Sequence, residues 1–383
     1  MPRRRVPPRQ CRSVRILVLG AGPGQLGLLA AARARDLFVI AVDRNPAAPG
    51  FRFADRRAIV SLDDEPALER LAEAERVDGV IAPGSELAVG AAARIAARYG
   101  LPHPISPPTA VLSSSKLRQR ERLEQEGVPQ TRWKVVTEAD DELGFPCIVK
   151  PTDRQARRGL ALVRTQEELR EAVQAALGAS RSGLCLVEEL AYGPEVTVTG
   201  FSCGGRFNPL TVMDRLPLAH VWPSHRGEDA AELAEQAVRA VGIEDGPSTT
   251  QLRLTPEGPR VVEVGARLGG GHDPELCKTA LGVDLYGLAL SAALGEVIER
   301  ERLSARVRVA GACVYFIAGG PGEPEGLERA ASAPGVEWAR VYPGSDRRGA
   351  VLATGLTREQ ALEWAARAAE YVRFRTVNAE ALA

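Results

Sequence analysis

The chain has only four lysines, Lys116, Lys134, Lys150 and Lys278, while arginine supplies the other 45 of its 49 basic residues. A sequence that writes arginine almost everywhere keeps lysine where a compact ammonium on a flexible stem is needed. A transferring phosphoryl group calls for such mobile point charges. A second set is Glu263-Val-Gly265-Ala-Arg267-Leu-Gly269-Gly270, an acid four residues before an arginine with two glycines after it. A third set, Gly22-Pro-Gly24-Gln-Leu-Gly27, is a G-x-G-x-x-G run with Asp43 21 residues beyond Gly22. Alone it reads as a dinucleotide fingerprint with Asp43 on a ribose, but the same turn serves any strand passing closely over a helix. Of the four histidines, His103 lies in a proline-rich loop and reads as structural. His220, His225 and His272 lie beside Arg226 and the Gly269 to Gly271 turn and are candidates for touching a substrate.

The elements that must position these residues follow from hydrophobic periodicity. Residues 14–20 read as a buried strand, 20–24 as a turn and 25–35 as a helix. Strands at 38–43 and 58–62, a helix at 65–75, a strand at 77–84 and a helix at 86–99 continue the alternation, which predicts a parallel, Rossmann-like sheet. The proline-rich stretch 101–110 closes that unit. Residues 113–127 have helical periodicity. A strand running into a loop over 145–153, a helix at 166–178 and strands at 184–190 and 195–205 make a small α+β lobe. A helix at 228–242, a hairpin over 251–264 and a mostly helical 274–297 follow. Strands near 308–317, 340–342 and 349–355 and a helix at 357–372 end the chain, with Thr357 and Glu359 as a capping start.

With 45% hydrophobic and 26% charged residues over 383 positions, the chain is predicted to fold into two or three domains, which excludes a disordered polymer. Its net charge of zero gives no long-range field for nucleic acid or anionic lipid. Six arginines and no acid fall in residues 1–15, and residues 1–13 read as a disordered basic leader. A signal peptide is the rival reading, but Gly20, Gly22, Pro23, Gly24 and Gly27 break its apolar segment. No uncharged apolar window reaches 18 residues, so no membrane span is expected. Cys11, Cys147, Cys185, Cys203, Cys277 and Cys313 show no C-x-x-C spacing, which argues against a zinc cluster or disulfide framework and for a reducing cytoplasm.

The segment Lys116-Leu-Arg-Gln-Arg120-Glu-Arg-Leu123-Glu-Gln-Glu-Gly127-Val128-Pro129, followed by Phe145-Pro-Cys-Ile-Val-Lys150-Pro151, resembles the ATP-grasp superfamily. The resemblance implies that Lys116 and Lys150 reach nucleotide phosphates. It continues through Val187-Glu188-Glu189-Leu190 and Gly193-Pro194-Glu195, similar to the hinge strand between the two ATP-grasp lobes. There it implies Glu188 facing the adenine amino group, the backbone of Glu189, Leu190 and Ala191 along the ring edge, and Glu195 on the ribose hydroxyls. The block from Gln251 to Gly270 is similar to a metal-binding hairpin, with Glu263 as the second acid for Mg²⁺ (or Mn²⁺) and Gln251 where the first would stand. Arg267 then clamps a carboxylate or acyl phosphate, with Gly269, Gly270 and His272 on the substrate side. The chain departs from the pattern at Gln251, at Gly265 in place of a frequent Asn, and in the arginine-rich loop Asp153-Arg-Gln-Ala-Arg-Arg158-Gly159.

Residues 339–368 resemble the last lobe of the carboxylate-amine ligases, the branch with L-amino-acid ligases and the carbamoyl-phosphate synthase large chain. The run from Gly22 to Pro46 resembles the first domain of N5-carboxyaminoimidazole ribonucleotide synthetase. The implied fold is α/β and α+β: a Rossmann-like domain over 14–112, a two-lobed ATP-grasp domain over 113–300 with its hinge near 188–195, and a C-terminal α+β lobe over 301–383. The implied activity is ATP-dependent ligation of a small-molecule carboxylate to an amine through an acyl phosphate, with no nucleic-acid or membrane partner and with a homodimer left open. A non-catalytic or weakly active ATP/ADP sensor and an NAD(P)-dependent oxidoreductase stay as alternatives.

Overall fold

Two nearly all-apolar pentapeptides begin the chain's first sheet. In β1 (Arg15–Leu19) and β2 (Phe38–Val42) four of five residues are buried, as happens when helices cover both faces of a parallel sheet. With β3 (Arg56–Ala58) and β4 (Gly79–Ile81) they form a parallel sheet in the order β3-β2-β1-β4, in which Leu17 faces Ile40 on one side and Val80 on the other. Helices α1 (Leu26–Ala34), α2 (Glu65–Glu75) and α3 (Glu86–Tyr99) make the crossovers. The computed structural model describes residues 13–139, 143–153, 159–319, 322–342 and 347–375. All but Ser13 of the basic leader, and the arginine-rich stretch 154–158, lie outside the described residues.

The proline-rich stretch does not stay a loop. Pro107 and Pro108 start α4 (Pro107–Ser114), where a missing N–H costs nothing, and Ser106 Oγ caps it by accepting from Thr109 N at 3.2 Å. Ser115 then ends one helix and caps the next, α5 (Lys116–Gln125), so the helical stretch 113–127 is two helices. That break puts Lys116 at the first position of α5, with its backbone N–H bonded to Thr152 O at 3.1 Å.

The small lobe is an antiparallel sheet in the order β5-β8-β6-β7, formed by β5 (Trp133–Val136), β6 (Cys147–Pro151), β7 (Ala161–Val163) and β8 (Cys185–Glu189). Leu169, Val173 and Ala176 of α6 (Gln166–Ala179) fill its core. A second, eight-stranded sheet follows in the order β13-β12-β9-β10-β11-β14-β17-β16. It comprises β9 (Glu195–Cys203), β10 (Arg206–Leu216), β11 (Ala219–Trp222), β12 (Gly246–Thr255), β13 (Gly258–Gly265), β14 (Gly311–Ala318), β16 (Val336–Val341) and β17 (Arg347–Gly355). A two-stranded pair, β15 (Glu323–Glu325) with β18 (Arg373–Arg375), lies apart from it. The remaining helices are α7 (Gly227–Val241), α8 (Asp273–Leu281), α9 (Leu285–Ala293), α10 (Leu327–Ala331) and α11 (Arg358–Glu370).

The large sheet is continuous across residue 300, because β11 pairs with β14 through Val221 and Cys313. The β10–β11 hairpin carries no clear sequence signal. Pro209 interrupts the alternation, and the structure absorbs it with a register shift between Pro209 and Thr211. No single helix among the described residues is long and apolar enough to cross a membrane.

Candidate active site

Helix α5 and strand β13 bring the first pair of candidates together. Lys116 Nζ lies 3.8 Å from Glu263 Oε1, and Gln119 holds the neighbouring Val264 at both N and O, at 2.9 and 2.8 Å. Glu263 stands opposite Gln251 in the β12–β13 register. Burial raises the Glu263 pKa, but the charges of Lys116, Arg267, Lys150 and Arg120 outweigh it and hold the carboxyl below its ordinary range.

Lys150, on β6, is buried, and its Nζ lies 2.7 Å from Glu188 Oε2. Burial lowers the lysine's pKa, and the adjoining carboxylate opposes that shift. Glu188 also meets Arg120, at 2.8 Å from Nε to Oε1 and 3.3 Å from Nη2 to Oε2. Burial pushes this carboxyl up, but the Arg120 and Lys150 charges push it further down. The carboxylate expected to face an adenine amino group is therefore engaged at both oxygens by cations of its own chain. Burying an anion in the sheet interior requires such pairing.

At the end of β8, Glu189 takes Arg132 at 2.9 Å on its side chain, and Leu190 and Ala191 follow half-buried. Glu195 begins β9 and bridges Arg253, at 2.9 Å, and Arg215, at 3.1 Å. Sequence reasoning had no signal for either arginine, because both are distant in the chain and meet Glu195 only through the β9–β10 and β9–β12 ladders.

Gln251 and Glu263 offer one amide and one carboxylate oxygen donor on neighbouring strands. Among the described residues no group of three or more His, Cys, Asp or Glu could cage a metal. This donor set suits Mg²⁺, which takes one or two protein oxygens and fills its octahedron with phosphate oxygens and water. Arg267 pairs with Glu86, a 4% exposed residue at the start of α3 in the first domain, and donates from Nη1 to Leu268 O at 2.9 Å. Burial lowers the guanidinium's pKa, but Glu86 outweighs it and the net shift is upward.

Residues 117–209 match the family described as D-ala D-ala ligase C-terminus. Over 95% or so of its length the fold superposes on solved ligases. The L-amino acid ligase from Bacillus licheniformis gives a TM-score of 0.82 at 21% identity, covering 96% of this chain and 100% of that one. The chain has the fold of these ligases. A second structure, carboxyaminoimidazole ribonucleotide synthase from Aspergillus clavatus complexed with ATP, gives a TM-score of 0.78 at 20% identity over 94% and 98% of the two chains. Among sequences, the Sinorhizobium fredii protein y4rH is 30% identical over 70% of this chain and 62% of its own. The formate-dependent phosphoribosylglycinamide formyltransferase of Burkholderia thailandensis is 30% identical over 44% of each chain. The chain thus spans less than two thirds of the length of these two relatives.

The glycine loop after β1 is spent on packing. Asp43 accepts from Ala21 N at 3.0 Å and Asn45 N at 2.9 Å, so both its oxygens serve its own loop. Gly27 has no side chain because Tyr286 of α9 occupies that space. Gly269 is likewise covered by the Asp273 carboxyl, whereas Gly270 faces open space. His272 has a positive φ of 67°, with Nδ1 3.2 Å from Glu275 and Nε2 2.8 Å from the Tyr342 hydroxyl. His220 is buried against Asp273 at 2.6 Å, His103 bonds within its own loop to Ile105, and His225 is exposed beside Glu359. Sequence reasoning missed Arg120 and Glu86. Arg120 lies in a charged helix that reads as solvated, and Glu86 gains meaning only from Arg267, 181 residues away.

Proposed function

We propose that the chain is an ATP-dependent ligase that activates a substrate carboxylate as an acyl phosphate for capture by an amine. The supporting observation is the meeting of Lys116, Lys150, Glu263 and Arg267 at one place from four separate segments, with Glu263 held ionised by the other three. Lys116 and Lys150 supply positive charge to the phosphates, and Glu189, Leu190, Ala191 and Glu195 bound the adenosine end. Glu263 and Gln251 would hold Mg²⁺ or Mn²⁺, which when bound would neutralise phosphate charge. A carboxylate oxygen attacks the γ-phosphorus, ADP leaves, and the acyl phosphate forms. The amine nitrogen then attacks the acyl carbon, phosphate leaves, and the nitrogen loses a proton. Arg267, its Nε and Nη2 side held by Glu86, offers its remaining Nη1 and Nη2 N–H groups to the carboxylate and the acyl phosphate, beside Gly269, Gly270 and His272. Acyl phosphate has a good leaving group, so little acid–base machinery is required.

Small-molecule substrates are the partners of this reading, and the five described cysteines, all unpaired, suit a reducing compartment such as the cytoplasm. The single acid of the Gln251–Glu263 pair favours a second reading, a sensor that binds ATP or ADP without turnover. Incubation with ATP, Mg²⁺, hydroxylamine and a panel of amino acids and other small carboxylates separates the two. A ligase yields hydroxamate and ADP in an ATP-dependent way, and a sensor yields neither while still binding ATP.

A further inference from the structure

Helix α5 carries a buried guanidinium that the reaction above does not use. Arg120 is 2% exposed, and its five N–H groups have five acceptors: Glu188 Oε1 and Oε2, Gln130 Oε1 at 3.1 Å, Val261 O at 3.1 Å and Val262 O at 2.8 Å. Gln130 returns a bond from Nε2 to Arg120 O at 2.9 Å. A charge taken out of water is tolerated only with such complete satisfaction.

One of the two acceptors on β13, Val262 O, exists because of a bulge. The register passes from Gln251 opposite Glu263 to Leu252 opposite Val261, so Val262 has no partner on β12 and its carbonyl needs another donor. The bulge also breaks the period of two: Val261 and Val264 are both buried although three apart, and Glu263 is turned toward Lys116. Gln119 grips Val264 and Arg120 grips Val261 and Val262, so adjacent residues of α5 hold the backbone on both sides of Glu263. Through Glu188 the same guanidinium also fixes the ammonium of Lys150 on the small lobe.

We propose that Arg120 is a positioning residue: by filling the bulge at Val262 and anchoring Glu188, it sets the metal-side carboxylate Glu263 and the phosphate-side ammonium of Lys150 in one frame. The proposal rests on the assignment of those two residues to the nucleotide site. A lysine at 120 keeps the charge but has three donors and no fork, so it cannot serve two carbonyls and a bidentate carboxylate together.

The test measures ATP affinity by calorimetry, first with EDTA and then with Mg²⁺, together with the melting temperature, for wild type, Arg120→Lys and Leu123→Ala. Leu123 is a fully buried apolar residue of the same helix and serves as the stability control. Wild type binds ATP, and Mg²⁺ tightens binding. Arg120→Lys weakens metal-free binding and loses about tenfold or more of the Mg²⁺-dependent gain, the range typical of groups that orient a metal ligand. Leu123→Ala lowers the melting temperature and leaves both affinities unchanged. Gln130→Ala, at the half-buried partner of Arg120, is the milder variant. It shifts both affinities in the same direction by a smaller factor, and it decides the matter should Arg120→Lys not fold. A wild type that fails to bind ATP overturns the site assignment itself. A wild type that binds, with variants at 120 and 130 that keep the Mg²⁺ gain or lose no more than Leu123→Ala, overturns the positioning role alone.

Discussion

Replacing Gln251 by Glu places a second carboxylate directly across the ladder from Glu263. Side chains of a registered antiparallel pair are about 5 Å apart at Cβ. Two carboxylates at about 5 Å with an effective dielectric near 20 repel by about 3 kcal/mol. Lys116 Nζ, 3.8 Å from Glu263, and the Arg267 guanidinium offset part of this, leaving about 1–2 kcal/mol of destabilisation without metal. For domains of this size that lowers the melting temperature by about 2–8 °C. The sign reverses once a divalent ion and ATP occupy the site, because the added carboxylate then meets a cation, a charge-assisted contact of about 1.5–3 kcal/mol. Differential scanning fluorimetry with EDTA, with Mg²⁺ and with Mg²⁺ plus ATP reads both effects. Gln251→Glu melts below wild type in EDTA and gains more than wild type on adding Mg²⁺ and ATP, with half-saturation at lower Mg²⁺. Equal melting temperatures in EDTA and equal ligand gains would refute the reasoning, since residue 251 would then not share a metal with Glu263.

Three further outcomes follow from the same geometry. Lys150→Met leaves Glu188 paired through Arg120, so the protein stays folded while ATP binding measured by calorimetry weakens at least tenfold, a loss of about 1.4 kcal/mol or more. Arg267→Lys removes a two-armed grip, so hydroxamate formation falls at least tenfold in a trapping assay while ATP affinity stays within a few-fold of wild type. The Glu188 carboxyl is depressed in the folded protein, so its pairing contributes stability that is fully present above about pH 4.5 and is lost as pH falls through the depressed value. Urea midpoints of wild type therefore drop from pH 5 to pH 3, and Glu188→Gln, less stable at pH 6, shows a shallower drop over the same range.

The alternating β and α pattern of residues 14–99 was legible because each element keeps one period and its partners are neighbours in sequence. The helix at 86–99 and the β12–β13 hairpin are found where periodicity puts them. The β10–β11 hairpin was not legible, since Pro209 hides the alternation and only pairing with β9 and β14 restores it. At the candidate site, Lys116 and Lys150 stand out by residue type, and Glu263 and Arg267 by the resemblance of their motif. What they touch does not, because Glu86 reaches Arg267 across 181 residues of chain and Arg120 meets Lys150 only through Glu188, 68 residues away. The first-domain glycine run misleads in the other direction: its spacing suits a dinucleotide, but Tyr286 and the backbone of its own loop consume Gly27 and Asp43.

The central claim is that nucleotide phosphates bind between Lys116, Lys150 and Glu263 and not at the first-domain glycine loop. The most direct measurement is thermal unfolding of wild type and Lys150→Ala with ATP and Mg²⁺ and, separately, with NADH, since a ligand raises the melting temperature only of a state that binds it. The account predicts a rise with ATP and Mg²⁺ in wild type, little or none in Lys150→Ala, and none with NADH in either. A rise with NADH and none with ATP in wild type would contradict it.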